Sequence, residues 1–86
     1  MLSHRQLRYF VEIVDAGGFS AAADRLFIAQ SALSRQVREM EQALGVALLL
    51  RDSRQLQTTA AGRSLYADAR RILAALEQAA ADARHA

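Results

Sequence analysis

Residues 18–37 read Gly18-Phe19-Ser20-Ala21-Ala22-Ala23-Asp24-Arg25-Leu26-Phe27-Ile28-Ala29-Gln30-Ser31-Ala32-Leu33-Ser34-Arg35-Gln36-Val37. Ser20 is an N-cap residue type and opens a short helix over 21–27. Its Ala22, Ala23 and Leu26 form a small-residue face that lets another helix approach closely. Ile28-Ala29-Gln30 then makes a tight turn without glycine or proline. A further helix runs on to Leu44, with Gly45 at its C′ position. Two helices joined by so short a turn form a helix-turn-helix.

The flanks extend this unit. Upstream, Ser3 caps a helix over 3–16 in which Leu7, Phe10, Val11 and Val14 recur at helical spacing, and Gly17-Gly18 ends it. Downstream, 46–51 and 56–58 are short apolar runs around the polar tip Asp52-Ser53-Arg54-Gln55, the pattern of a β-hairpin. Leu49 and Leu50 fit a helix end equally well. Thr59 caps a last helix over 60–84, about 37 Å long at 1.5 Å per residue. The expected fold is all-α with a small β-hairpin. It divides into a winged helix-turn-helix over 1–58 and a long helix over 59–86.

On a helical wheel at about 100° per residue, Leu33, Val37, Met40 and Leu44 fall in one arc, the buried face. Ser31, Arg35, Arg38 and Gln42 lie opposite, with Ser34 beside them and Glu39 and Glu41 toward the sides. A helix in a DNA major groove needs such a face. Short side chains permit close approach, and arginine pairs bidentately with guanine. An ordinary solvated face is the alternative. The wing tip adds Arg54, flanked by Arg51 and Gln55, where a side chain meets a minor groove or phosphates.

In the last helix Leu65, Ala69, Ile72, Leu76, Ala79 and Ala83 are spaced 4, 3, 4, 3 and 4 residues apart. That is a heptad seam. Its first turns can pack on the chain's own core, whereas the later ones ask for a partner helix. A two-fold dimer would present two recognition helices to a palindromic site. The alternative is fraying of the alanine-rich end beyond Leu76.

Composition bounds the rest. At 86 residues and 52% hydrophobic, the chain is one small domain with a core. All 11 basic residues are arginine, and the net charge is only +2. Arginine is the better fork for phosphates and guanine edges, although the codon bias of a GC-rich genome gives the same excess. With no cysteine there is no disulfide framework and no thiolate metal site. The longest apolar run, 45–50, is far short of the roughly 20 residues that span a bilayer, and no signal peptide is evident. A cytoplasmic protein is expected. His4 and His85 stand at opposite ends, and neither a catalytic triad nor metal-ligand spacing occurs. No enzyme, metal or cofactor is expected. The rival to a DNA binder is a helical protein-interaction module that dimerises through its last helix without DNA. Salt separates the two, because neutralising phosphates releases counterions and an apolar seam releases none.

Several blocks together carry a resemblance. They are Leu7-Arg8-Tyr9-Phe10, 18–26, 30–37, Glu41-Gln42-Ala43-Leu44-Gly45-Val46 and Thr59-Ala60-Ala61-Gly62. At this spacing the chain, from about Leu7 to Ile72, resembles the N-terminal region of LysR-type transcriptional regulators. The resemblance implies a winged helix-turn-helix and a linker helix that pairs in a dimer. It implies promoter DNA as partner, commonly around a T, eleven bases, A dyad. In the family an effector-binding domain follows, answers to a small-molecule co-inducer and supports tetramers; that domain is outside this chain. By motif, Gln30, Ser31, Ser34 and Arg35 match base-contacting positions, Arg38 a backbone contact and Arg54 the wing-tip basic residue. The wheel alone selects Ser31, Arg35 and Arg38 but not Gln30, which it leaves before the regular helix.

Three positions depart from the family pattern. Ala29 replaces a capping Ser or Thr, at a cost of about 0.5–2 kcal/mol. Ser31 stands where proline is frequent, and Thr58 where leucine is usual. Ala29 with Thr58 is similar to the branch that regulates aromatic-compound breakdown.

Overall fold

The computed structural model describes residues 1–50 and 55–86. Its elements in chain order are α1 (His4–Ala16), α2 (Phe19–Leu26), α3 (Gln30–Leu44), β1 (Leu49–Leu50), β2 (Gln57–Thr58) and α4 (Ala60–Arg84). The expected class is the observed one, four helices with a two-stranded wing. Among the described residues no helix is long and apolar enough to cross a membrane.

α1 starts with a capping box. The Ser3 hydroxyl accepts from Gln6 N–H, and the Gln6 side chain accepts from Ser3 N–H, both at 3.1 Å. Gly17, at φ 80°, ends the helix. α2 begins two residues earlier than Ser20 predicts. The first helical bond runs from Ala22 N–H to Gly18 O, so Gly18 is the N-cap and Phe19 and Ser20 are helical. Backbone closure decides the start here, without a side-chain cap.

α1, α2 and α3 enclose one core. Phe10, Ile13, Leu33, Val37, Met40 and Leu48 are completely buried, each contributing about 1.5–3 kcal/mol. Ile13 fills the place in the α1 stripe expected of Val11 and Val14, which are only half-buried. Leu44 departs from the expected buried arc of α3. At the helix's last position, before Gly45 turns the chain at φ 73°, it is 42% exposed.

The wing is antiparallel, with Leu49 opposite Thr58 and Leu50 opposite Gln57. Leu49 and Leu50 are therefore strand, not helix end. The strands are shorter than the apolar runs, since 46–48 lie outside the ladder. Leu48 and Leu49 are held to α3 by Glu41, whose Oε2 accepts their N–H groups at 2.7 and 3.4 Å.

α4 leaves the wing through a latch. Thr59 Oγ1 accepts from Gly62 N–H at 3.0 Å and donates to Ala47 O at 2.6 Å, while Thr59 N–H donates to Leu48 O at 3.0 Å. Gly62 lies so close that a Cβ there would sit 2.1 Å from Leu48 O. The next turns pack on the core through Ala61, Leu65 and Tyr66. Tyr66 Oη donates to Asp15 Oδ1 of α1 at 2.5 Å. Beyond Ala69 the helix projects, giving the molecule its 49 Å long axis.

Candidate nucleic-acid interface

The turn that aims α3 is built without glycine. Phe27 adopts the left-handed conformation (φ 58°, ψ 41°). A bulky residue pays roughly 1–2 kcal/mol there. Bonds from Phe27 N–H to Asp24 O and from Ile28 N–H to Ala23 O close the end of α2 and hold it. Ala29 then leaves the start of α3 with no side-chain cap, the consequence expected from its lack of a hydroxyl.

Gln30 is the first residue of α3 rather than a turn residue before it. It therefore shares the rigid frame of the positions that follow. Gln30, Ser31, Arg35, Arg38 and Gln42 are exposed, Ser34 is half-buried beside them, and Leu33, Val37 and Met40 are buried on the far side. Arg54 lies outside the described residues.

Among the described residues four arginines are engaged within the fold. Arg25 bonds Glu12 at 3.2 Å, Arg71 pairs with Asp68, Arg63 donates to Thr58 O and Arg70 to Tyr66 Oη. The Tyr66 contact, with Asp15 nearby, raises the Arg70 pKa above its ordinary value. Among the described residues Arg35 and Arg38 have no ion-pair or hydrogen-bond partner, nor do the side chains of Gln30, Ser31 and Ser34. A polar, cationic stripe with every donor free to meet an external acceptor stands on a helix fixed by its apolar back.

The seam positions of α4 divide. Leu65 packs on the chain's own core, and Ala69 is completely buried within this single copy, so it has no surface to offer a partner. Ile72 and Leu76 are 45% and 47% exposed, and Ala79 and Ala83 are exposed with them.

Sequence reasoning made Thr59 the cap of α4, which it is, but gave no packing role to Glu41 or Gly62 and did not foresee that all three bind the wing to α3 and α4. A glycine inside an alanine-rich helix was the available signal for Gly62. Glycine costs nearly 1 kcal/mol there relative to alanine unless something occupies the space of its Cβ.

Comparison with known proteins supplies the family. Residues 4–63 match the bacterial regulatory helix-turn-helix protein, lysR family. The chain is 49% identical over 78 residues to the nitrogen assimilation regulatory protein Nac of Escherichia coli, covering 91% of this chain and 26% of Nac. It is 46% identical over 74 residues to the HTH-type transcriptional regulator BenM of Acinetobacter baylyi, covering 86% of this chain and 24% of BenM. The chain thus spans about a quarter of the length of these curated relatives. The crystal structure of the BenM DNA-binding domain with catB site 1 DNA superposes with a TM-score of 0.95 at 40% identity, covering 98% of this chain and 93% of that one. The match over residues 4–63 and the superposition of nearly the whole chain on a domain solved with DNA agree, and the chain belongs to the LysR family of bacterial regulatory helix-turn-helix proteins.

Proposed function

We propose that α3 of this LysR-type DNA-binding domain reads promoter DNA from the major groove. Gln30, Ser31, Ser34 and Arg35 face base edges and Arg38 meets the backbone. Arg54 of the wing takes the minor groove or a phosphate. A second copy packs along Ile72, Leu76, Ala79 and Ala83 of α4, so that two recognition helices address a dyad in the cytoplasm. Effector binding and tetramer formation belong to the remainder of a longer parent. The observation that carries this reading is the exposed polar stripe on α3, where Gln30, Ser31, Ser34, Arg35 and Arg38 stand together without partners among the described residues on a helix fixed by its buried face. Nac and BenM match about equally well, so likeness in this region does not rank one regulon, aromatic breakdown included, above another.

The test is fluorescence anisotropy with a T, eleven bases, A duplex and a scrambled duplex at two salt concentrations. Preference for the dyad with a steep salt slope is expected. Arg35→Ala is expected to cost roughly 1–3 kcal/mol on the dyad and to relax discrimination at one base position. Equal loss on both duplexes would make Arg35 a phosphate contact. No binding to either duplex by micromolar protein would overturn the reading.

A further inference from the structure

A second cationic surface lies outside the recognition stripe. Ser3, His4, Arg5 and Arg8 of the α1 end and Gln36 of α3 line an open cleft of about 460 Å³. On α1, Arg8 neighbours both Arg5, at i and i+3, and His4, at i and i+4. Gln36 is fixed against them by its Oε1, which accepts from Gln6 Nε2 at 3.3 Å. The same Gln6 closes the α1 capping box, so one side chain ties the start of α1 to α3. Among the described residues the Gln36 Nε2 has no partner, and neither Arg5 nor Arg8 has an ion pair or hydrogen bond.

Carboxylates are absent from the lining. The acids of α1 lie further along and are engaged, Glu12 by Arg25 and Asp15 by Tyr66. Two arginines also sit in the first turns of α1, the positive end of its dipole, with no acid in the first turn to offset them. Local stability argues against that placement, and breaks of a local rule are expected at functional or strained sites. Gln36 stands about 100° round α3 from Arg35, so the cleft opens on the flank of α3 next to the exposed stripe.

Resting on the DNA-reading function proposed above, we infer that Arg5, Arg8 and the Gln36 amide form a phosphate-binding cleft that grips the DNA backbone beside the recognition helix. Guanidinium forks and an amide N–H suit a phosphodiester and carry no base information. The cleft adds affinity and fixes register without altering which sequence is preferred.

The experiment measures the slope of log K against log salt on the dyad and scrambled duplexes. The proteins are the wild type, Arg5→Gln/Arg8→Gln, Arg5→Lys/Arg8→Lys and Arg84→Gln. For the Gln pair the slope is expected to flatten by roughly 0.9 per phosphate given up, or about 2 for a dimer holding one phosphate in each cleft. Affinity falls alike on both duplexes and their ratio holds. The Lys pair keeps the slope, and Arg84→Gln, at the far end of α4, leaves it unchanged. An unchanged slope for the Gln pair beside a dyad-reading wild type would overturn the cleft and leave the recognition stripe standing. Loss of the dyad preference in the Gln pair would overturn the backbone role. A wild type that binds neither duplex would overturn both readings.

Discussion

The two halves of α4 share one unbroken helix but draw their stability from different sources. The near half, Ala60 to Ala69, is wedged among the wing, α1 and the core. Gly62 touches the Leu48 carbonyl, Leu65 packs on the core, Tyr66 reaches Asp15 and Ala69 is fully buried. In the far half Arg70 still reaches back to Tyr66, but Ile72 and Leu76 are nearly half exposed. Most helical stability in proteins comes from packing an apolar face, not from propensity. The near half is therefore part of the domain, and the far half is the part the proposed dimer would cover. A division of the chain at Thr59 follows secondary structure, but packing continues for about ten residues past it.

The contrast is tested most severely at Gly62. Gly62→Ala improves intrinsic helix propensity by nearly 1 kcal/mol, and in an unpacked helix it would stabilise. Here the new Cβ meets backbone, Leu48 O at 2.1 Å and Leu48 C at 3.1 Å. Neither atom moves without disturbing the Thr59 N–H bond to that carbonyl. The expected net loss is about 3 kcal/mol, the upper part of the range for overpacking, read as a fall in the denaturant midpoint. A variant as stable as the wild type would show that the near half is not held by this approach.

The far half answers to a different substitution. Leu76→Asp sets a charge on the proposed seam but touches no core residue. Domain stability should change by no more than about 0.5 kcal/mol, as for exposed sites. The dimer dissociation constant from sedimentation equilibrium should rise at least tenfold, about 1.4 kcal/mol. An unaltered constant would move the interface off α4.

The same contrast explains what was legible in the sequence. Periodicity reports which face of a helix is apolar, and it found the α3 core face, Leu44 apart, and an apolar stripe along α4. It does not report what covers that face. Ala69 and Leu76 fall on one heptad stripe, yet one is covered by the chain's own fold and the other is bare. Ser3, Thr59 and Gly45 were readable because capping is local. Ser20 misled because the chain closes its first turn on Gly18 instead. Glu41 and Gln6 escaped notice for a further reason. Their side chains bridge elements far apart in sequence, with Glu41 reaching the wing and Gln6 reaching Gln36, and polar residues on a helix flank look alike until the neighbouring element is in place. The exposed stripe of α3 was legible because the buried side, Leu33, Val37 and Met40, is unambiguous and whatever lies opposite must face outward.

The smallest test lies at the border between the two halves. Tyr66 Oη donates to Asp15 and accepts from Arg70 Nη1 at 3.0 Å, joining α1 to the last packed turns of α4. Both bonds are exposed to solvent, so water replaces them readily and an intramolecular bond nets only about 0.5–1.5 kcal/mol. Tyr66→Phe keeps the ring on the core and removes only the hydroxyl. The expected loss is about 1 kcal/mol in global stability. Hydrogen exchange should quicken more in the turns around Ala69 than in those around Gly62, which keep the Thr59 latch. If exchange quickens equally along 60–69, the near half opens as one unit with the wing, and the border between packed and projecting helix is set by Ala69 burial rather than by the tyrosine.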